Sequence, residues 1–343
     1  MVFVIGLSST KWHIASFWPE NCLCLAIMKK SIVIPVIVVS CLGIGFASAN
    51  LIENLKPKPI NVFPKIAEEN KNIRFVKTAD SVTAVFPLTI AGDMSFAGEA
   101  VPLNDPEVRE RLDRELQINA YWQSNTLLSM KLANRYFDQI EKILLEEGVP
   151  SDFKYLPLIE SGFRDVTSPA GASGFWQFLS GTGKRYGLEI NEDVDERYNI
   201  EKSTRAACAY LKEAKEKLGS WTLAAASYNM GIEGINSKSQ KQHVKNYYDL
   251  FLTQETSRYV FRMLAMKAIF ANPRKAGYML EDKDLYQPFS YKTITVDSSI
   301  TDIATFAEAN GLLYKHIKLL NTWMRSTSVP NKEKKPYEIK ILQ

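Results

Sequence analysis

The chain reads as a mainly α-helical protein with a small α+β module at its C-terminus, and three observations carry that reading. Between about residues 100 and 280, apolar residues recur at helical spacing in successive runs, separated by Gly, Pro, Ser or Asn where helices start and stop. From Tyr291 onward the pattern becomes an alternating strand, two short helical runs and a second alternating strand. At 343 residues the chain is long enough for a sizeable core and for two or three domains.

The N-terminus reads as a leader over residues 1–49. From Met28 the sequence MKKSIVIPVIVVSCLGIGFASAN gives two lysines, an apolar run and Ala47-Ser48-Ala49, the small-x-small pattern of a secretory signal peptide. That run is too short and too interrupted by Gly and Pro for a membrane span. Residues 1–27 precede the charged end, which points to Met28 as the start, a signal peptide over 28–49, and export to the periplasm or cell envelope. A second reading takes Val38-Val39-Ser40-Cys41, which resembles a bacterial lipobox; acylation of Cys41 would tether the protein to a membrane. The apolar residues after Cys41 argue against it.

Residues 50–100 hold prolines, mixed charge and one β-leaning run, Ser81–Thr89, as expected of a linker or an arm lying against the next domain. Asn104-Asp105-Pro106-Glu107 signals a helix start, with Val108, Leu112 and Leu116 on its inner face. A second helix, Leu127–Glu147, is expected to bury Leu128, Leu132, Tyr136, Ile140 and Leu144 and to end at Gly148 and Pro150. Ser151-Asp152 caps the next, a short apolar helix carrying Pro157 in its first turn or at a kink and ending at Gly162. A short helix capped by Ser180, a longer one over Glu201–Leu218, one over Trp221–Met230 capped by Ser220 and broken at Gly231 and Gly234, and one over Thr256–Ala271 complete the helical region. The polar, Pro-containing Glu281–Pro288 joins it to Tyr291–Val296, helices over Thr301–Asn310 and Tyr314–Leu320, and Tyr337–Leu342. The domains expected are 101–280 and 289–343.

The net charge of +4 comes from 42 basic and 38 acidic residues; residues 1–49 hold three Lys and one Glu, so the remainder carries +2. A balance this even makes no electrostatic case for nucleic acid. The 15 Tyr, 17 Phe and 6 Trp suit a sugar-stacking groove or a large core equally. Beyond the leader Cys208 is the one cysteine, expected to be a buried small apolar residue. Three His without a Cys/His cluster argue against zinc, and no cofactor motif is present. Gly181-Thr182-Gly183-Lys184-Arg185 lacks the earlier glycine and the following Ser or Thr of a phosphate loop. Asn191–Asp195 opens like a calcium loop, but Glu196 and Lys202 stand where Gly and Glu are needed. Both read as capped turns.

Chemistry concentrates in Tyr155–Phe178, YLPLIESGFRDVTSPAGASGFWQF. Glu160 ends an apolar helix there, where the helix dipole and desolvation by Phe163 or Trp176 would raise its pKa, as a general acid requires. Taken alone, a glutamate in that place is more often a solvated end residue.

Four blocks in order change that balance. Glu160-Ser161-Gly162-Phe163, Gly171-Ala172-Ser173-Gly174-Phe175-Trp176-Gln177, Ala226-Ser227-Tyr228-Asn229-Met230-Gly231 and Gln254-Glu255-Thr256-Ser257-Arg258-Tyr259-Val260 resemble the motifs of the family 1 lytic transglycosylases, nearest to their membrane-bound D branch, over about residues 95–275. The resemblance implies a goose-lysozyme-like helical domain with a groove for peptidoglycan glycan strands. It implies cleavage of the β-1,4 bond between N-acetylmuramic acid and N-acetylglucosamine, with formation of a 1,6-anhydro end. Glu160 matches the single catalytic acid/base. Ser168 and Gln177 match groove residues near the scissile sugar, Tyr228 and Asn229 a pair facing the carboxylate, and Glu255 and Tyr259 a pair on the last groove helix. Phe175-Trp176 departs from the Leu-Met of many relatives and would make a bulkier groove wall. The C-terminal unit resembles a LysM module, with Asp297-Ser298-Ser299-Ile300 in place of the usual Gly-Asp-Thr-Leu. Glycan binding and a purely structural cap are both open for it. Two other functions compete: a lysozyme-type hydrolase, with Asp165 or Glu255 as a second carboxylate positioning water, and a non-catalytic peptidoglycan-binding scaffold.

Overall fold

The computed structural model describes residues 86–343 except Ala91, so the leader, Cys41 and the first part of the β-leaning run lie outside the described residues. Its described remainder forms no strand: Phe86 N and Leu88 N are bonded to the Tyr121 hydroxyl and to Gln117 Oε1, laying the arm along the first helix. A two-residue hairpin that the sequence reading missed follows, β1 (Ser95–Phe96) and β2 (Glu99–Ala100). Glu99 sends its carboxylate to the start of a later helix, accepting from Trp221 N at 2.5 Å and Thr222 N at 2.9 Å, where a negative charge meets the positive end of the dipole.

Helix α1 (Pro106–Tyr121) starts as expected, with Asp105 Oδ1 accepting from Glu107 N at 2.9 Å and Pro in the first turn. Helix α2 is Gln123–Glu146. Its buried stripe includes Met130, Ala133, Ile140 and Leu144, whereas Leu128 faces solvent. The expected i+4 stripe was too straight: four residues turn a helix by about 400°, so a stripe drifts about 40° per step and its two ends leave the same face. A 3-10 turn, Ser151–Lys154, leads into α3 (Tyr155–Ser161), where Pro157 stands in the first turn, whose N–H groups have no helical partner anyway. Helix α4 is Ser180–Arg185, preceded by Leu179 as its cap residue, so Ser180 is the first helical residue and not the cap. Helix α5 (Ile200–Leu218) buries Ala206, Ala207, Cys208, Tyr210, Leu211 and Ala214. Cys208 is a core residue, and burial pushes its thiol pKa up to about 12.

Helix α6 (Trp221–Met230) is the centre of the molecule, capped by Ser220 Oγ accepting from Leu223 N at 3.1 Å. Leu223, Ala224, Ala225 and Ala226 are buried, and the small side chains of the three alanines let α5, α7 (Ile232–Gln242) and α8 (Gln254–Ala271) pack around them. Helix α7 was not expected. Gly231 does break the chain, with φ +81°, but Gly234 lies inside the new helix, pressed against the Met230 side chain. Helix α8 packs on α1, and the two share an ion pair in which the partly exposed Arg258 donates from Nε to buried Glu115 Oε1 at 2.6 Å.

In the C-terminal module β3 (Tyr291–Val296) pairs antiparallel with β4 (Tyr337–Leu342), Tyr291 opposite Leu342 and Val296 opposite Tyr337. Helices α9 (Ile303–Ala309) and α10 (Tyr314–Leu320) lie between them in sequence. Buried Asn321 ties the unit together, donating to Ile317 O and Lys340 O and accepting from Lys340 N at 2.9 Å. The module's core of Ile303, Ile317, Met324 and Ile339 is continuous with Val194 and Tyr198 of the helical region.

Asn191–Asp195 is a turn, with Asn191 Oδ1 accepting from Asp193 N and Val194 N. The loop 163–178 between α3 and α4 is seated on the segment that follows it. A Cβ on Gly174, at φ +76°, would come within 1.9 Å of Arg197 O. Gly174→Ala is therefore expected to destabilise the protein by about 3 kcal/mol or more, from overlap plus backbone strain; a denaturant midpoint within experimental error of the wild type would contradict this packing.

Candidate active site

Glu160 is the penultimate residue of α3, whose apolar residues Leu156 and Leu158 are buried and whose end is set by Gly162 at φ +61°. The helix therefore fixes the carboxyl at the negative end of its dipole, half-buried at the protein surface. Helix α8 crosses α3 and brings two side chains to it. The Tyr259 hydroxyl donates to Glu160 Oε1, and Tyr259 itself is 1% exposed. Arg262, three residues further along the same face, donates from Nη2 to Ile159 O at 2.8 Å and adds a positive charge beside the carboxyl.

The net effect on Glu160 is a raised pKa. Desolvation by burial is the largest cause; the Tyr259 hydrogen bond and the Arg262 charge oppose it, and Glu255, an exposed like charge on the first turn of α8, adds to the rise. The phenol of Tyr259 is pushed well above its ordinary value by burial and by Glu160, so it is the donor of the pair.

Tyr228, on α6, is also held high by burial and then by the Glu160 charge; its hydroxyl donates to Trp176 O at 2.9 Å. Asn229 follows it and accepts from Thr256 Oγ1 at 2.7 Å, which ties the end of α6 to the start of α8. Glu160, Tyr228 and Tyr259, with Glu255 at the rim, thus come together from three helices far apart in sequence. Ser168 and Gln177 lie on the loop between α3 and α4, and their bonds are within that loop. Ser168 Oγ accepts from Ala172 N at 3.1 Å, closing a turn. Gln177, at φ +48°, commits its amide nitrogen to Gly174 O at 2.7 Å and Val166 O at 3.1 Å, which fixes its side chain against its own loop.

Three expectations need correction. Trp176 is fully buried and donates to Thr204 Oγ1 at 2.9 Å, and Phe175 is 5% exposed, so neither ring forms a groove wall for a sugar to stack on. Phe163 is likewise buried, among Tyr136, Phe137 and Phe175, and the aromatic side chains beside Glu160 are instead the phenols Tyr228 and Tyr259. Asp165 faces Thr322 and Arg325 of the C-terminal module. Arg262 and Thr256 were missed by the sequence reading. The signal was available: Glu255, Tyr259 and Arg262 recur at i, i+4 and i+7, on one face of the helix.

With that geometry in view, comparison with known proteins is informative. Residues 129–251 match the Transglycosylase SLT domain, and residues 292–342 match the soluble lytic transglycosylase C-terminal LysM-like domain. The chain therefore carries a transglycosylase domain followed by a LysM-like domain. Glu160, Ser168, Gln177, Tyr228 and Asn229 fall inside the first match, whereas Glu255 and Tyr259 lie just beyond it. The chain is homologous to membrane-bound lytic murein transglycosylase D of Escherichia coli (strain K12), 28% identical over 260 residues, which is 73% of this chain and 55% of the relative. The same figures hold for that protein from Escherichia coli O6:H1. The chain thus spans about half the length of the curated relatives it matches. Among solved structures, the 70 kDa soluble lytic transglycosylase SLT70 from Escherichia coli aligns at 18% identity with a TM-score of 0.37, covering 52% of this chain and 33% of that one.

The electrostatics of Glu160 give a stability test. Its proton is bound more tightly in the folded than in the unfolded chain, where the ordinary value is 4.5. Its contribution is therefore most favourable below that value and is lost as pH rises through the raised one. Glu160→Gln, which cannot ionise, is expected to melt at a higher temperature than wild type at neutral pH, with the difference shrinking below pH 4.5. Melting curves across the acid range that ran parallel for the two proteins would contradict the shift. Tyr259→Phe removes a bond to the charged form, so the Glu160 pKa, followed by carboxyl-carbon NMR, is expected to rise further.

Proposed function

We propose that this protein is an exported peptidoglycan lytic transglycosylase that cleaves the β-1,4 bond between N-acetylmuramic acid and N-acetylglucosamine and leaves a 1,6-anhydromuramic acid end. The observation that carries the reading is Glu160: a carboxyl kept toward its protonated form by burial, aimed by Tyr259, in a chain whose domains match transglycosylase families. Its working parts are a lysozyme-like catalytic domain over 101–280 and a LysM-like module over 289–343. Residues 1–49 act as the leader, with translation from Met28 and export by the segment 28–49. The murein transglycosylase relatives support a place in the cell envelope.

Glu160 donates its proton to the glycosidic oxygen as the bond to C1 breaks and an oxocarbenium-like centre forms. General acid catalysis of this kind contributes about a hundred to ten thousand fold. The resulting carboxylate then takes the proton of the muramic acid C6 hydroxyl, whose oxygen closes onto C1. Glu160 ends the cycle protonated, as it began, and no water is consumed. Because nucleophile and electrophile belong to one sugar, holding that sugar in place supplies most of the entropic advantage.

Tyr259 orients the acid, and the Arg262 charge keeps its raised pKa within reach of the base half-cycle. Tyr228 and Asn229 line the opposite wall, Glu255 stands at the rim where substrate N–H or hydroxyl donors can reach it, and Ser168 and the Gln177 carbonyl face the sugar from the α3–α4 loop. The hydrolase reading needs a carboxylate holding water opposite Glu160, and of its two candidates Asp165 is directed to the module.

Digestion of purified peptidoglycan followed by mass analysis tests the proposal. Anhydro-muropeptides are expected, and Glu160→Gln is expected to lower their release by at least about a hundredfold. Products with reducing ends would replace the proposal by hydrolysis, and binding without release would replace it by a scaffold role.

A further inference from the structure

Two strands of contact leave the C-terminal module and enter the helical region. In the first, Asp195 N donates to Trp323 O at 2.9 Å and Arg325 N donates to Asp193 O at 2.7 Å. In the second, Thr322 Oγ1 donates to Tyr198 O at 3.0 Å, and the Arg325 guanidinium lies 4.1 Å from the centre of the Tyr198 ring. The segment 193–198 is therefore held from the module side by main-chain and side-chain bonds together.

That segment in turn holds the α3–α4 loop. Asp195 accepts from Arg197 Nε at 2.9 Å and from Nη2 at 2.6 Å, and the fork so oriented donates from Nη1 to Gly171 O at 2.8 Å and Phe178 O at 3.1 Å. Arg197 is 9% exposed, so its donors have little access to water and depend on these acceptors. The Tyr198 hydroxyl meets Thr167 Oγ1 at 2.8 Å, and the main chain of Arg197 lies so close to Gly174 that no side chain fits between them. Both ends and the middle of the loop 167–178 are thus gripped from one side. The same loop carries Ser168 and Gln177, and its Trp176 carbonyl takes the hydroxyl of Tyr228.

We infer that the C-terminal module is a structural part of the active site: acting through Arg197 as a positioning residue, it sets the loop 167–178 and with it Tyr228 opposite Glu160. The module's role is not confined to whatever glycan it binds. Arg197 touches no substrate on this reading; it acts through the two carbonyls it holds. Its planar fork is what lets one side chain grip a carboxylate and two carbonyls at once, which a lysine ammonium cannot reproduce in the same geometry.

The activity arm of the test rests on the transglycosylase proposal; a second arm does not. Two full-length variants are compared with wild type: Thr322→Val combined with Arg325→Met, on the module face, and Arg197→Lys, in the relay. For each, kcat and KM for peptidoglycan cleavage are separated, amide hydrogen exchange is followed through 167–178 and through α1, and the melting temperature is recorded. Exchange in 167–178 is expected to speed up about tenfold, with α1 unchanged, and kcat to fall by about tenfold, the scale of one or two lost hydrogen bonds. A lower melting temperature with wild-type kcat, KM and loop exchange would overturn the inference and leave the module a general stabiliser. Should wild type release no product, the proposed function fails while loop exchange still decides the relay; should Arg197→Lys not fold, the module-face pair decides it.

Discussion

A carboxyl at the C-terminal end of a helix is opposed by the dipole, and one that is also buried loses hydration, so Glu160 carries two unfavourable terms at once. Keeping it there depends on what α8 delivers: the Tyr259 hydroxyl as a donor, and the Arg262 charge with its bond to Ile159 O. Those two groups moderate the pKa without cancelling the rise. A buried group whose pKa is left high is poised to give up a proton, and a nearby donor and cation make its conjugate base tolerable afterwards. The same contact would serve both halves of the proposed acid/base cycle.

The helical core serves that contact. For α8 to cross α3 at the right height it must pack closely on α6, and the run of alanines at 224–226 permits the approach. Glu99 from the β1–β2 hairpin anchors the start of α6, and Gly231 ends it immediately after Tyr228, Asn229 and Met230. Tyr228 and Asn229 thus sit in the last turn of a helix packed on several sides. The Glu115–Arg258 pair fixes α8 against α1 from the far side. Glu115 is buried and also accepts from Arg114, whereas Arg258 is partly exposed, so the contact fixes the register of the two helices at that point.

The α3–α4 loop is stabilised differently, because it has no regular structure of its own. Its carbonyls at Gly171 and Phe178 are satisfied by a guanidinium and its Gly174 is pressed on a neighbouring main chain. Loops with their backbone groups paired in this way behave as rigid elements, which suits the role proposed for Ser168 and Gln177. The aromatic pair Phe175-Trp176 belongs to this anchoring: the indole is bonded to Thr204 inside the core.

Much of the fold was legible in the residues. Asp105, Ser220, Gly148, Gly162 and Gly219 mark helix ends whose capping geometry is local, and the strands Tyr291–Val296 and Tyr337–Leu342 follow from simple alternation. Where the reading failed, the deciding forces were not local. Gly234 looks like a breaker and sits in a helix because burial of Ile232 and Ile235 in the core outweighs a propensity cost of about 1 kcal/mol. Trp176 looks like a sugar platform and is core, since a sequence does not say which side of a loop faces inward. Glu160 itself, and Tyr228, Asn229, Glu255 and Tyr259 as its companions, could be named from the chain because their motifs are short and ordered. That Tyr259 donates to Glu160, that Arg262 stands beside it, and that the C-terminal module reaches the groove loop through Asp195 and Arg197 were decided only by tertiary structure. Each of those contacts joins elements tens to more than a hundred residues apart, and hydrogen bonds and charges act over ångströms in space, whatever the distance along the chain.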